Sequence, residues 1–241
     1  MTKPIKFLLL GYLAIELTLY VLIFLTSDLL NAWICYSAII LNFVMAMILF
    51  KKSKNVFLTE VALLMTCFAD LFLVILNPKV QLVAMIFFCI TQGCYFLRIL
   101  FNTNSKKQRI FHIGIRAVLS VLGILATFLV LKEKTDALAV ISVFYFVNLF
   151  LNVVFAFIGC KKSALFAVGL LLFMCCDILI GLNVASGGYL TFTEGTLLAW
   201  LAEPPINLAW GFYVPAQVLI VLSIIFNKYQ EKPYKKNNEK I

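Results

Sequence analysis

The sequence predicts an all-α, polytopic membrane protein, a bundle of eight transmembrane helices. Three observations predict it. Hydrophobic residues make up 63% of the 241 residues and charged residues only 13%, against about 45–50% and about 25% in an ordinary soluble domain. The mean hydropathy is +1.04. Eight stretches reach roughly 20 apolar residues, the length that crosses a hydrocarbon core about 30 Å thick. Runs such as FLLLGYLAIELTLYVLIFL are apolar on every side, where barrel strands would alternate. The same composition excludes a disordered chain, a collagen-like repeat and a secreted disulfide scaffold, since only 7 Cys occur.

The spans fall at about 7–25, 30–50, 57–76, 80–101, 109–131, 137–158, 164–184 and 206–226. The first follows MTKPIK and carries no A-x-A-like cleavage site, so it reads as a retained span. Segment 184–207 between the last two spans contains Trp200 and Pro204-Pro205. It reads as a loop with an interfacial turn, because aromatic rings favour the headgroup region. Residues 1–228 then form the transmembrane domain and 229–241 a basic tail.

Twenty Lys and Arg against eleven Asp and Glu give a net charge of +9. Their placement decides what the charge means. With an even number of spans both termini share one side, and that side carries Lys3, Lys6, Lys51, Lys52, Lys54, Lys106, Lys107, Arg109, Lys161, Lys162 and the five tail lysines. The other side has Lys79, Lys132 and Lys134, while Arg98 and Arg116 lie within span ends. The positive-inside rule puts both termini in the cytoplasm, in a plasma (inner) membrane or the endoplasmic reticulum. Basic residues scattered over five segments argue against a nucleic-acid partner. The tail is suited to anionic lipid headgroups, and Arg98 and Arg116 are expected to snorkel. The single His, His112, argues against a hydrolytic zinc site, and nothing calls for a cofactor.

Acids inside a membrane cost several kcal/mol unless paired or hydrated, so each marks a candidate site. Glu16, Glu60, Asp70 and Asp177 qualify, with Glu60 close enough to a span end to snorkel. Asp70 and Asp177 each lie 13 residues into an outward-running span, roughly 20 Å deep at 1.5 Å per residue. Their segments are alike, VALLMTCFADLFLVILN at 61–77 and VGLLLFMCCDILIGLN at 168–183. Duplication of a four-span unit would explain this and predicts two parallel four-helix repeats. Gln92 and Tyr95 share one face of span 4, as Tyr213 and Gln217 do of span 8. Both faces offer hydrogen bonds to a polar group between helices. Asn42, Asn148 and Asn152 are read as polar glue.

These residues resemble the pattern of the YhhN-like integral membrane family, which includes the lysoplasmalogenases. Ala69-Asp70 stands where that family's third span has Gly-Asp. Cys176-Asp177 with Asn183 matches its seventh span, and Tyr213 with Ala216-Gln217 its last. Gln92 and Tyr95 stand where its fourth span usually has His and Tyr. An amide at 92 serves if that position hydrogen-bonds an Asp or substrate, and does not serve if it shuttles a proton.

The resemblance implies hydrolysis of the vinyl ether of a lysoplasmalogen to a fatty aldehyde and a glycerophospho-base. Such a reaction starts with proton transfer to the alkene carbon and continues through an oxocarbenium ion that water attacks. Two carboxyl groups at one low-dielectric site cannot both ionise easily, so Asp70 and Asp177 are expected to share a proton. One acts as acid and the other stabilises the cation and orients water, while Gln92, Tyr95, Asn183, Tyr213 and Gln217 hold substrate or water. A small-molecule or lipid carrier and a non-catalytic lipid-binding protein are the alternatives.

Overall fold

The computed structural model describes residues 3–49, 53–76, 80–103, 105–159 and 163–227. Lys51, Lys52, Lys79, Cys160, Lys161, Lys162 and the tail 229–241 lie outside them. The elements are α1 (Lys3–Leu25), α2 (Asp28–Ile48), α3 (Lys54–Asp70), α4 (Gln81–Phe101), α5 (Lys106–Leu131), α6 (Ala137–Ile158), α7 (Ala164–Gly188), α8 (Leu197–Ala202) and α9 (Leu208–Asn227). Eight helices are long and apolar enough to cross a membrane, and among the described residues there is no strand. Helices α1, α3, α5 and α7 start at one end of the bundle, the near face. The other end is the far face.

Two details depart from plain spanning helices. After Asp70 the third span continues as a π-helix, Leu71–Leu76, an irregularity often found at functional sites. Segment 184–207 is not all loop, because α7 runs to Gly188 and α8 forms with Thr196 as its cap, accepting from the Ala199 N–H at 3.3 Å.

Helix adjacency repeats with a period of four spans. Within each half the helices pack in chain order, α1 on α2 on α3 on α4 and α5 on α6 on α7 on α9, with the last pair of each half the most intimate. Contacts of α4 with α6 and of α2 with α9 join the halves. The first helix of each half, α1 and α5, is the least buried, and exposes residues such as Leu10, Leu17, Val118, Val121 and Leu129 to lipid.

In lipid, apolar side chains give no net drive for helices to associate, so close packing and hydrogen bonds hold the bundle. Thr91 donates to the Ala62 carbonyl at 3.2 Å and ties α4 to α3. Tyr12 donates to Asn42 Oδ1 at 2.6 Å, and Asn42 Nδ2 donates to Glu16 Oε1 at 2.8 Å. Glu16 therefore belongs to the α1–α2 seam and stands apart from the Asp pair. Pro215 lacks the N–H that would bond the Gly211 carbonyl, and the Tyr20 hydroxyl donates to that carbonyl at 3.3 Å instead.

The charged residues expected to snorkel are buried. Arg98 is 2% exposed, donates to Thr59 at 2.7 Å and Ser223 at 2.9 Å, and lies 3.9 Å over the Phe166 ring. Arg116 is also buried, over the Phe96 ring at 4.2 Å, and donates to Asn152 Oδ1 at 2.7 Å. Glu60 is buried as well. Partners on neighbouring helices and aromatic faces hold these guanidinium groups more favourably than a reach to the interface. His112 stacks on Phe155 with ring centroids 3.8 Å apart, a packing role.

Candidate active site

A cavity of about 710 Å³ opens among the π-helix, α4, α5, α6, α7 and α9, in the far half of the bundle. Its volume is in the range of sites that take drug-sized ligands, roughly 300–1,000 Å³. The lining is overwhelmingly apolar, with Leu73, Val74, Met85, Val143, Ile180 and Leu182 among its residues. Asp70 and Asp177 both line it and are its most strongly polar groups.

Each carboxyl group is held by a phenol. Tyr213 on α9 donates to Asp70 Oδ2 at 2.6 Å. Tyr145 on α6 donates to Asp177 Oδ2. Asp70 is 2% exposed and closed in behind Tyr213, whereas Asp177 is only partly buried and faces the cavity. An aromatic chain holds both phenols in place, Tyr145 to Phe88 at 5.9 Å, Phe88 to Phe173 at 6.2 Å and Phe173 to Tyr213 at 5.3 Å between ring centroids. Trp210 completes it, 5.2 Å from Tyr213.

Of the seven residues expected at the site, Asp70, Asp177, Asn183 and Tyr213 line this cavity. Asn183 spends its amide on the Ala202 carbonyl at 2.9 Å, which pins α8 to α7. Gln92, Tyr95 and Gln217 are absent from the lining and fully buried between helices. Shared helix faces brought them near the right depth, but the lining reaches only to Phe88 along α4 and to Tyr213 along α9. Gln92 accepts from Asn152 Nδ2 at 2.9 Å, and Tyr95 packs edge-on against Phe166. Sequence reasoning missed Tyr145. The signal available was a phenol inside a span three residues before Asn148 and seven before Asn152, on one helical face.

The model of the YhhN family matches residues 32–224. The chain belongs to the YhhN family. No curated protein and no solved structure matches it. In this YhhN protein the matched region contains both aspartates, both tyrosines and every residue that lines the cavity.

At the far face of the YhhN bundle a polar clasp sits at the cavity rim. The Asp136 carboxylate caps α6 by accepting from the Ala139 N–H at 2.8 Å and accepts from the Tyr189 hydroxyl at 2.8 Å, while Lys134 Nζ donates to the Tyr189 carbonyl at 3.3 Å. Tyr189 and Leu190 line the cavity, so the clasp joins its rim to the α5–α6 turn. The Ala139 N–H and then the Tyr189 hydroxyl hold Asp136 below the usual carboxylate range. Burial, followed by the bond to Asp136, pushes the Tyr189 phenol up to about 12. A carboxylate lowered in the folded state stabilises above its unfolded value of about 3.9 and loses that contribution as pH falls through the lowered value. Asp136→Ala is therefore expected to lower the unfolding midpoint at neutral pH by the equivalent of about 1 kcal/mol, a typical cap loss. The difference from wild type should shrink as pH falls below the unfolded carboxyl value of about 3.9. Thermal unfolding in detergent across pH checks it, and a difference independent of pH would contradict it.

Proposed function

We propose that this protein is an integral membrane hydrolase of the lysoplasmalogenase type, cleaving the vinyl ether of a lysoplasmalogen by carboxyl acid/base catalysis. The observation that carries this reading is the meeting of Asp70 and Asp177, each with a phenol donor, on one apolar cavity inside the bilayer.

The chemistry follows from the residues. A neutral carboxyl gives its proton to the alkene carbon that does not bear the ether oxygen. The alkene electron pair forms the new C–H bond, the acid becomes a carboxylate, and the adjoining carbon becomes an oxocarbenium ion. The second carboxylate and the faces of Phe88 and Trp210 stabilise that cation in a medium of low dielectric. Water adds to it and yields a proton to a carboxylate, leaving a hemiacetal. That proton restores the shared one, and collapse of the hemiacetal, its hydroxyl proton passing to the departing glycerol oxygen, releases the aldehyde and the glycerophospho-base. The alkyl chain lies along Leu73, Val143, Ile180 and their neighbours, where its burial is worth about 0.8 kcal/mol per methylene.

We also propose that the lysine-rich near face is cytoplasmic, that the cavity opens toward the opposite leaflet, and that the tail meets anionic headgroups. A carrier is the second reading, favoured by the π-helix after Asp70 and by Pro215 two residues from Tyr213, because carriers interrupt helices at their sites.

The test is a panel of alkenyl, acyl and alkyl lysophospholipids offered to the purified protein in nanodiscs. Aldehyde release from the alkenyl lipid alone is expected. Uptake of unchanged lipid by proteoliposomes would favour the carrier, and tight binding without turnover would favour a lipid-binding role.

A further inference from the structure

A line of hydrogen-bonding side chains runs from the interior of the bundle to Asp177, and its members have no place in the chemistry above. Arg116 Nη2 on α5 donates to Asn152 Oδ1 on α6 at 2.7 Å. Asn152 Nδ2 donates to Gln92 Oε1 on α4 at 2.9 Å. Gln92 then presents Nε2, buried and without an acceptor of its own, beside the Tyr145 hydroxyl. Tyr145 donates to Asp177 Oδ2. Every donor in this line points toward Asp177.

That direction is forced by the two ends. A guanidinium can only donate, so Asn152 must receive on Oδ1 and offer Nδ2. Gln92 must receive on Oε1 and offer Nε2. The Tyr145 oxygen, whose proton is spent on Asp177, is the acceptor placed to meet that Nε2. Hydrogen bonds in such a chain polarise one another, and each donor is strengthened by the one behind it. Nothing comparable stands behind Tyr213, whose hydroxyl bonds only Asp70 among the described residues. Asp70 is also the more enclosed carboxyl of the two.

We infer that Arg116, Asn152 and Gln92 are positioning residues that make Asp177 the anion of the pair and leave the shared proton on Asp70, so that Asp70 is the general acid and Asp177 the group that meets the oxocarbenium ion and water. This assignment rests on the hydrolase reading for its kinetic consequence and on the geometry alone for the proton's location. The two can be tested apart.

Infrared difference spectroscopy of the protein in nanodiscs reads the protonated-carboxyl stretch without any turnover. That band should disappear in Asp70→Asn and persist in Asp177→Asn. In the double variant Gln92→Leu/Asp70→Asn it should return, because an interrupted line lets Asp177 take the proton. In activity, Gln92→Leu should lower kcat by about tenfold or more with KM nearly unchanged, the rate equivalent of one hydrogen bond to a charged group. Gln92→His should recover most of the loss, since a neutral imidazole also offers one acceptor and one donor. A band lost in Asp177→Asn instead, or one indifferent to Gln92→Leu, would overturn the assignment even in an active enzyme. The expected band pattern in a protein that cleaves no vinyl ether would uphold the proton's place while removing the hydrolase reading.

Discussion

Asp70→Asn and Asp177→Asn each lower vinyl ether cleavage by about 10²–10⁴-fold, the usual contribution of a positioned acid or base. The expectation is specific because asparagine preserves everything except the titrating group. Its carbonyl oxygen still accepts from Tyr213 at position 70 or from Tyr145 at position 177. The side-chain volume barely changes in a cavity already formed, so both variants should insert and unfold near the wild-type temperature. Purified protein in nanodiscs, assayed for aldehyde release beside a thermal melt, separates chemistry from folding. Full activity in either variant would remove that carboxyl from the mechanism.

The second large effect concerns the seam that sets the two carboxyl groups at one depth. Helices α7 and α9 pack more closely than any other pair, and they carry Asp177 and the Tyr213 that holds Asp70. Their approach depends on Gly169. A Cβ there would stand 2.9 Å from Ile220 Cγ1, 3.1 Å from the Ala216 carbonyl oxygen and 3.2 Å from the Ile220 backbone nitrogen. A side-chain methyl can turn aside, but the two backbone atoms can retreat only if α9 moves. Gly169→Ala should destabilise by about 1–3 kcal/mol, as overpacking does. Activity should fall with it, because moving α9 draws Tyr213 from Asp70. Gly93→Ala is the control. Its Cβ would meet nothing within 4 Å, and alanine in mid-helix should stabilise by about 0.5–1 kcal/mol over glycine. Melting temperatures in detergent check both, and a neutral Gly169→Ala would mean that the seam tolerates an opening the packing does not suggest.

Much of the fold was legible because its physics is one-dimensional. A bilayer sets a length, and eight apolar runs meet it. The likeness of 61–77 to 168–183 was legible for the same reason, and the four-span period of helix packing agrees with it. What escaped depends on which neighbour a buried group meets. Arg98 and Arg116 were expected at the interface, and only the structure brings Thr59, Ser223 and Phe166 to one and Asn152 and Phe96 to the other. Gln92, Tyr95 and Gln217 share helix faces at about the right depth, yet the cavity lining reaches only to Phe88 along α4 and to Tyr213 along α9. Tyr145 was passed over because a phenol in an apolar span is unremarkable until its partner is known. The π-helix beyond Asp70 has no hydropathy signature at all.

The central claim is that a proton passes from a carboxyl group to the alkene carbon of a lysoplasmalogen. Hydrolysis in D₂O with prompt trapping of the aldehyde reads that step in the product. One deuterium at the carbon next to the carbonyl, present in wild type and reduced with turnover in Asp70→Asn, is the result the account predicts. Aldehyde released without deuterium at that carbon, or alkenyl lipid recovered intact, would contradict it.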